Sequence, residues 1–280
     1  MSTQSSTSII PVRYIRWMGN NFGDNINDVL FQDIFGIKTA VHNGEPQTDG
    51  INLLGIGTLL NEHLNLSGTA KAWVIGSGAG NARKPELPAD SKIFFVRGPL
   101  TCQFLNWPKS YALADAAYLL ADKFYSVADK ETVTPRRYGI IPHHFSGESN
   151  LAQWKQVHQH IPIISPYLDW QRFIQQVNAC DIILTECLHG AIAADILRKP
   201  FIAFATTPHI HLFKWLDWAS SMDIKLTFNR LDFDDPEALC KSAEPVMSMQ
   251  ETFDRVQNQL EQQKVKIQRC LADIGPNQGP

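Results

Sequence analysis

Cysteine is sparse and unpaired in this chain: five residues, at positions 102, 180, 187, 240 and 270, with no C-x-x-C among them. That spacing argues against a thiolate zinc site or a disulfide framework and suits a reduced compartment. Long apolar runs are also missing. The most apolar stretch, residues 182–197, is shorter than the roughly 20 residues of a bilayer span, and Glu186, His189 and Asp195 interrupt it. Residues 1–10 have no basic segment and too short an apolar one for a signal peptide, so a cytoplasmic protein is expected. Neither sign of charge is in excess. Lys and Arg total 25 against 28 Asp and Glu, a net charge of −3, so nucleic acid is not an expected partner. The common phosphate and nucleophile fingerprints are absent too. No G-x-x-x-x-G-K-S/T occurs, Gly76-Ser77-Gly78-Ala79-Gly80-Asn81 lacks the third glycine of G-x-G-x-x-G, and Ser77 follows Gly76 too closely for G-x-S-x-G.

What is present is alternation. The 44% hydrophobic content is ample for a buried core. Short β-branched and aromatic runs alternate with amphipathic stretches, which predicts an α/β protein with parallel sheets and crossover helices. Strands are expected over residues 9–16, 51–54, 72–75 and 93–96, and then over 138–141, 161–165, 181–185 and 201–205. A helix is expected to begin near Gly23-Asp24-Asn25, with Asp24 or Asn25 as its cap and Ile26, Val29, Leu30 and Ile34 buried. Another begins at Gly98 with Pro99 in the first helical position. Residues 121–137 are polar, aperiodic and contain Pro135, which places a boundary there. A first Rossmann-like domain is therefore expected over residues 1–132 and a second over 133–280. Met249, Phe253, Val256, Leu260, Ile267, Leu271 and Ile274 form a stripe, broken by Lys264, that reads as a terminal helix laid on the body. Residues 275–280 read as a frayed tail.

In open parallel sheets ligands bind beyond the carboxyl ends of the strands. Those ends carry Gly19-Asn20-Asn21-Phe22-Gly23-Asp24, Gly55-Ile56-Gly57-Thr58, Gly76-Ser77-Gly78, Arg97-Gly98, His143-His144, Glu186 to Gly190, and Thr206-Thr207-Pro208-His209. Glycine turns and helix starts let backbone amides approach an anion. Arg97 is placed to fork onto a carboxylate or phosphate, or to sit in a structural ion pair. His189, in the first turn after a strand, is a candidate for proton transfer, with Glu186 three residues before it. Glu186 reads equally as an acid that satisfies helix-start amides, and Cys187 reads as a small buried thiol. Adjacent histidines on a strand face opposite ways, so one of His143 and His144 at most is expected at a given site, and no metal is assigned. Asp115 either holds the cleft's donors in place or caps a turn.

Taken in order, Asn21-Phe22-Gly23-Asp24-Asn25-Ile26-Asn27, Gly55-Ile56-Gly57-Thr58, Gly76-Ser77-Gly78, Val96-Arg97-Gly98-Pro99-Leu100-Thr101, Ala114-Asp115-Ala116, Pro142-His143-His144 and Thr185-Glu186-Cys187-Leu188-His189-Gly190-Ala191 resemble the polysaccharide pyruvyl transferase family. The resemblance is greatest to the branch that places pyruvate ketals on bacterial exopolysaccharides such as succinoglycan and xanthan. It implies a GT-B-like fold, two Rossmann-like domains facing a central cleft. It implies phosphoenolpyruvate as a donor co-substrate with no further cofactor, a lipid-linked oligosaccharide as acceptor, and peripheral contact with the inner membrane face. A homo-oligomer is compatible with it. Arg97 and His189 carry over as donor-binding residues. One departure is clear: many members have an arginine two residues before that histidine, where this chain has Cys187.

On that resemblance a ketal forms when the donor's methylene carbon is protonated, one sugar hydroxyl attacks C2, and loss of phosphate lets the second hydroxyl close the ring. The chemistry needs an acid, a base and an anion cradle. His189, Asp24 and Glu186 are expected to supply the proton transfers. Arg97, Asn21, Gly23, Gly76, Ser77, Gly78, His144, Leu188 and Gly190 are expected to hold substrate. Phe213, Trp215 and Trp218 are candidates for stacking on the acceptor sugar. Two other readings fit the same architecture, a glycosyltransferase using a nucleotide sugar and an inactive saccharide-binding subunit.

Overall fold

The computed structural model describes residues 10–17, 19–80, 83–128, 134–144, 162–206, 210–232 and 235–274. Nine strands assemble into two parallel sheets among these residues. The first contains β1 (Val12–Arg16), β2 (Ala40–His42), β3 (Ile51–Leu54), β4 (Lys71–Ile75) and β5 (Lys92–Phe95) in the order β2-β1-β3-β4-β5. The second contains β6 (Arg136–Ile141), β7 (Cys180–Thr185), β8 (Phe201–Phe204) and β9 (Phe228–Asn229) in that order. All pairings between these strands are parallel. The chain thus forms the two Rossmann-like α/β units and central cleft expected from its sequence.

The strand sequences explain why both sheets are covered on both faces. Successive side chains point to opposite sides, and here both sides are apolar. Tyr14, Leu53 and Trp73 join the large central core, while Ile15, Leu54 and Val74 pack beneath the outer face. In the second sheet Ile141, Ile183 and Phe201 face the central core, and Ile140, Leu184 and Ile202 the outer layer. The central core is continuous from one unit to the other.

Several expectations are corrected. The strand at 161–165 is reduced, among its described residues, to a single bridge at Ile163 beside Ile140. β2 and β9 are additional, three and two residues long, too short to show a period. The first helix, α1 (Phe22–Asp28), is capped by Asn21, whose side chain accepts from the Asp24 amide at 3.2 Å. Asp24 lies inside the first turn, where its charge meets the positive end of the helix. α1 runs on into a π-helical turn, Val29–Ile34. α2 (Pro99–Leu105) has Pro99 in its first position, as expected.

The 121–137 stretch, read as aperiodic, begins with α3 (Ala121–Ala128), which buries Ala121, Phe124, Val127 and Ala128. The expected domain boundary, at 132/133, and the tail 275–280 fall outside the described residues. α3 packs on α4 (Trp170–Asn178), and α4 in turn on α1. Phe22 of α1 stacks on Phe173 of α4 with centroids 3.9 Å apart and lies 6.1 Å from Phe124 of α3. The Phe22 amide donates to the Pro166 carbonyl at 2.7 Å, so the start of α1 is stitched to the second unit by both packing and a hydrogen bond.

The remaining helices are α5 (Leu188–Ile196), α6 (Leu212–Ser221), α7 (Pro236–Ser242) and α8 (Gln250–Ala272). α8 is the expected terminal helix and buries Phe253, Val256, Leu260 and Ile267, although Met249, expected on the same stripe, is exposed. It returns to the first unit, packing on β5 and on the short helical segment Ala116–Leu120. No helix among the described residues is long and apolar enough to cross a membrane. Because Phe22 is buried where three helices from both units meet, Phe22→Ala is expected to cost about 3–5 kcal/mol, read as a lowered denaturant midpoint.

Candidate active site

Beyond the carboxyl ends of the two sheets lies a cavity of about 490 Å³. Asn21, Asp24, Thr58 and Arg97 line it from the first unit, and His143, His144, Cys187, Leu188, His189 and Lys214 from the second. Of the residues expected at the site, the fold therefore brings Asn21, Asp24, Arg97, His144, Leu188 and His189 together.

His189 is the second residue of α5, held where β7 ends and the helix begins. Its ring lies against the backbone of Gly23. A Cβ at Gly23 would stand 2.0 Å from His189 Nδ1, so only glycine permits this approach of α1 to the imidazole. On the other side His189 Nε2 faces Asp115 Oδ2 at 3.8 Å. Both atoms are buried and neither has a hydrogen-bond partner among the described residues. The second Asp115 oxygen accepts from the Ala117 amide at 3.0 Å, which fixes the carboxylate. Asp115 thus caps a turn and also faces the imidazole. A carboxylate so held stands where it can supply a counter-charge to a protonated imidazole.

Arg97, following β5, is 1% exposed. Its Nε pairs with Asp217 Oδ2 at 3.1 Å, while Nη1 lies 3.4 Å from Thr58 Oγ1 and Nη2 3.5 Å from the Ala79 carbonyl. Asp217 is fully buried on α6. It also accepts from the Thr101 hydroxyl at 2.6 Å and the Thr101 amide at 2.9 Å. The guanidinium passes over Gly78, where a Cβ would come within 2.0 Å of its carbon. One edge of Arg97 is committed to Asp217, and among the described residues its two terminal nitrogens make only long contacts while the residue lines the cavity.

Five expected site residues lie behind the cavity wall. Gly76 and Gly78 were expected to offer amides to an anion, but their N–H groups donate to the Phe95 carbonyl at 2.8 Å and the Gly57 carbonyl at 2.9 Å, continuing the sheet. Ser77 is fully buried, its hydroxyl donating to the Gly57 carbonyl and accepting from the Leu59 amide, both at 3.1 Å. Gly190 is packed inside α5, where a Cβ would meet Thr185 Oγ1 at 2.7 Å. Glu186, expected to be catalytic, is fully buried. One of its oxygens accepts from the Thr206 amide and, at 2.6 Å, the Thr206 hydroxyl; the other accepts from the His143 amide at 3.3 Å. It is a strut between two loops, and the acid that stands beside His189 is Asp115.

Other corrections have simple physical reasons. His143 and His144 both line the cavity, their rings 4.3 Å apart, because they lie past the end of β6, where strand alternation no longer governs direction. Trp215 and Trp218 are fully buried in the core, and of the three aromatics considered only Phe213 reaches the cavity. Residues 207–209 lie outside the described residues. Trp17, Asn61, Glu62 and His63 form a further stretch of wall that the sequence did not single out.

Sequence reasoning also missed Lys214 and Asp217. Both sit in Phe213-Lys214-Trp215-Leu216-Asp217-Trp218, and two charges inside an otherwise apolar, aromatic helix were the available signal. Burial, with the Arg97 charge, holds the Lys214 ammonium below the ordinary lysine range. Burial likewise lowers His144, aided by Lys214, and pushes the Cys187 thiol up. No group of three His, Cys, Asp or Glu side chains among the described residues is placed to hold a metal ion.

Arg97, His143, His144, Cys187, Leu188 and His189 of the cavity fall within a segment with known relatives. Residues 71–208 match the family model described as polysaccharide pyruvyl transferase. The chain is 31% identical over 208 residues to the succinoglycan biosynthesis protein ExoV of Rhizobium meliloti (strain 1021), which covers 73% of this chain and 62% of that protein. Among solved structures it is similar to a UDP-GlcNAc 2-epimerase from Methanocaldococcus jannaschii, with 8% identity over 90% of this chain and all of the other and a TM-score of 0.41. A wall teichoic acid polymerase, TagF, is similar at 10% identity over 94% and 89% of the two chains, also at a TM-score of 0.41. Likeness at that level carries no reading of chemistry.

The buried pair across the cleft gives a direct expectation. Asp217→Ala leaves Arg97 buried without its carboxylate and is expected to cost about 3–5 kcal/mol, measured by chemical denaturation. Adding Arg97→Met to that variant should recover part of the loss.

Proposed function

This chain belongs to the polysaccharide pyruvyl transferase family, and from that premise we propose that it transfers a pyruvyl group from phosphoenolpyruvate to a hydroxyl pair on a sugar, forming a pyruvate ketal. The observation that carries this reading is the meeting, in one cavity, of Arg97 with His189, which buried Asp115 faces from behind. The acceptor is an oligosaccharide of exopolysaccharide synthesis. The name of the ExoV relative, of which this chain spans 62%, supports that class. On this reading the acceptor is lipid-linked and the protein meets it at the cytoplasmic face of the membrane.

The residues divide the work as follows. The terminal nitrogens of Arg97 bind the donor's carboxylate, a planar anion that matches the guanidinium fork. His189, backed by Asp115, delivers a proton to the donor's methylene carbon, which becomes a methyl group as positive charge develops at C2. A sugar hydroxyl adds to C2. Phosphate departs with its bonding electrons, and the second hydroxyl closes the ring. Two hydroxyl protons are released: one makes good the proton spent on carbon, and the other leaves with the phosphate. Of the two carboxylates on the cavity wall, Asp24 receives a hydroxyl proton, and Asn21 Nδ2 positions it from 2.5 Å. Cys187, with its thiol kept neutral by burial, is wall and not nucleophile.

The test is an assay of phosphate release from phosphoenolpyruvate with a lipid-linked oligosaccharide, paired with mass spectrometry of the product for an added pyruvate ketal. His189→Ala is expected to slow turnover by about 100-fold or more, and Arg97→Ala to raise the KM for the donor. Asp115→Asn should slow turnover less than His189→Ala and displace its pH profile, which a purely structural role would leave in place. Near-native rates in both His189→Ala and Arg97→Ala would sink the proposal.

A further inference from the structure

Lys214 stands in the first turn of α6 with its side chain on the cavity wall. Its neighbours on the same helix are otherwise engaged. Trp215 and Trp218 fill the core, and Asp217 is shared between Arg97 and Thr101. No carboxylate lies within ion-pair distance of the Lys214 ammonium among the described residues, and it makes no hydrogen bond there. The charged and titratable groups that act on it are Asp24 from α1, Arg97 following β5, His144 following β6 and Cys187 at the start of α5. Only Asp24 carries a negative charge, and its Oδ2 already accepts from Asn21. Arg97 is answered by Asp217; among the described residues Lys214 is not answered by anything at contact distance.

A partly enclosed cation with no counter-ion is an unfavourable arrangement that a bound anion reverses. α5 adds to the effect. It starts opposite Lys214 with Cys187 in the cap position and no side-chain capping bond, so the positive end of a nine-residue helix is turned on the same region.

We propose that Lys214 is the cation that anchors a phosphate-class oxyanion in this cavity and, on the pyruvyl-transfer reading above, that it holds the phosphate of the donor while Arg97 holds its carboxylate. The two cations then neutralise the two ends of one small dianionic or trianionic ligand. Burial disfavours the charged form of Lys214, and an arriving anion favours it. A neutral Lys214 acting instead as a base on the sugar hydroxyl is the competing role, and arginine separates the two because it keeps the charge and cannot serve as a base.

The experiment is calorimetric titration of the full chain with inorganic phosphate and with phosphoenolpyruvate, for the wild type, Lys214→Met and Lys214→Arg. Lys214→Met is expected to weaken both anions by about ten-fold or more, and Lys214→Arg to stay within a few-fold of wild type and to retain turnover. In parallel, an amine-directed reagent is applied to the wild type with and without phosphate, and modification at Lys214 is read by peptide mass spectrometry. Protection by phosphate is expected. Anion binding unchanged in a folded Lys214→Met, lack of protection in the wild type, or a Lys214→Arg variant that binds donor normally but does not turn over would each overturn the proposal. The outcomes also separate it from the functional reading. If phosphate binding depends on Lys214 but phosphoenolpyruvate yields no ketal, the anion site stands and pyruvyl transfer falls. If ketal forms and the donor's KM ignores Lys214, the reverse holds.

Discussion

Arg97 and Asp217 meet across the cleft, one following β5 of the first unit and the other on α6 of the second, and much of the site's geometry hangs on that contact. Both side chains are essentially without solvent exposure. A buried ion pair of this kind adds little net stability, because desolvating two charges consumes most of their attraction. Its effect is positional. Asp217 reaches both the guanidinium and the start of α2 through Thr101, so α6 is fixed in depth and rotation against the first unit. The approach is close: a Cβ at Gly98 would stand 2.0 Å from the Asp217 carbonyl oxygen. Since Lys214 lies one turn earlier on the same helix, the contact that orients Arg97 also sets where the second cation enters the cavity.

The buried carboxylates follow one pattern. Asp217 serves Arg97, Asp115 faces His189, and Glu186 ties Thr206 to the His143 amide. A fourth, Asp195, accepts from Tyr118 and Ser248 away from the cavity. Each of these acids is spent on positioning a cation or a loop. What remains on the cavity wall is Arg97, Lys214 and a set of histidines, against Asp24 and Glu62. A site whose acids are withdrawn behind its walls presents donors to its ligand, which is the electrostatic character a small anionic substrate requires.

The legible parts of the sequence were those governed by local period. β3, β4, β6 and β7 were readable because both faces of a parallel sheet are buried and leave short apolar runs such as Ala72–Ile75. α3 was missed because its stripe of Ala121, Phe124 and Val127 is interleaved with Asp122, Lys123 and Ser126, and eight residues show the period only twice. At the site, position was legible and allegiance was not. Strand ends and helix starts correctly brought Asn21, Asp24, Arg97 and His189 to one cavity. Whether an amide or a carboxylate is free once there depends on partners far along the chain. The Gly78 amide is taken by Gly57, and the Arg97 partner lies 120 residues away on a helix whose composition looks like core.

One cause acts on three neighbouring groups in this wall. Burial pushes the Cys187 thiol up, the His144 imidazole down and the Lys214 ammonium down, each toward its neutral form. An anion entering the cavity acts on the three unequally. It favours the charged forms of Lys214 and His144, whereas it opposes the Cys187 thiolate and leaves the thiol neutral. On the proposed anion site, capture favours the protonated forms of two adjacent side chains, and the thiol beside them stays neutral. A reaction that begins by protonating carbon gains from a ligand whose arrival raises the local supply of protons.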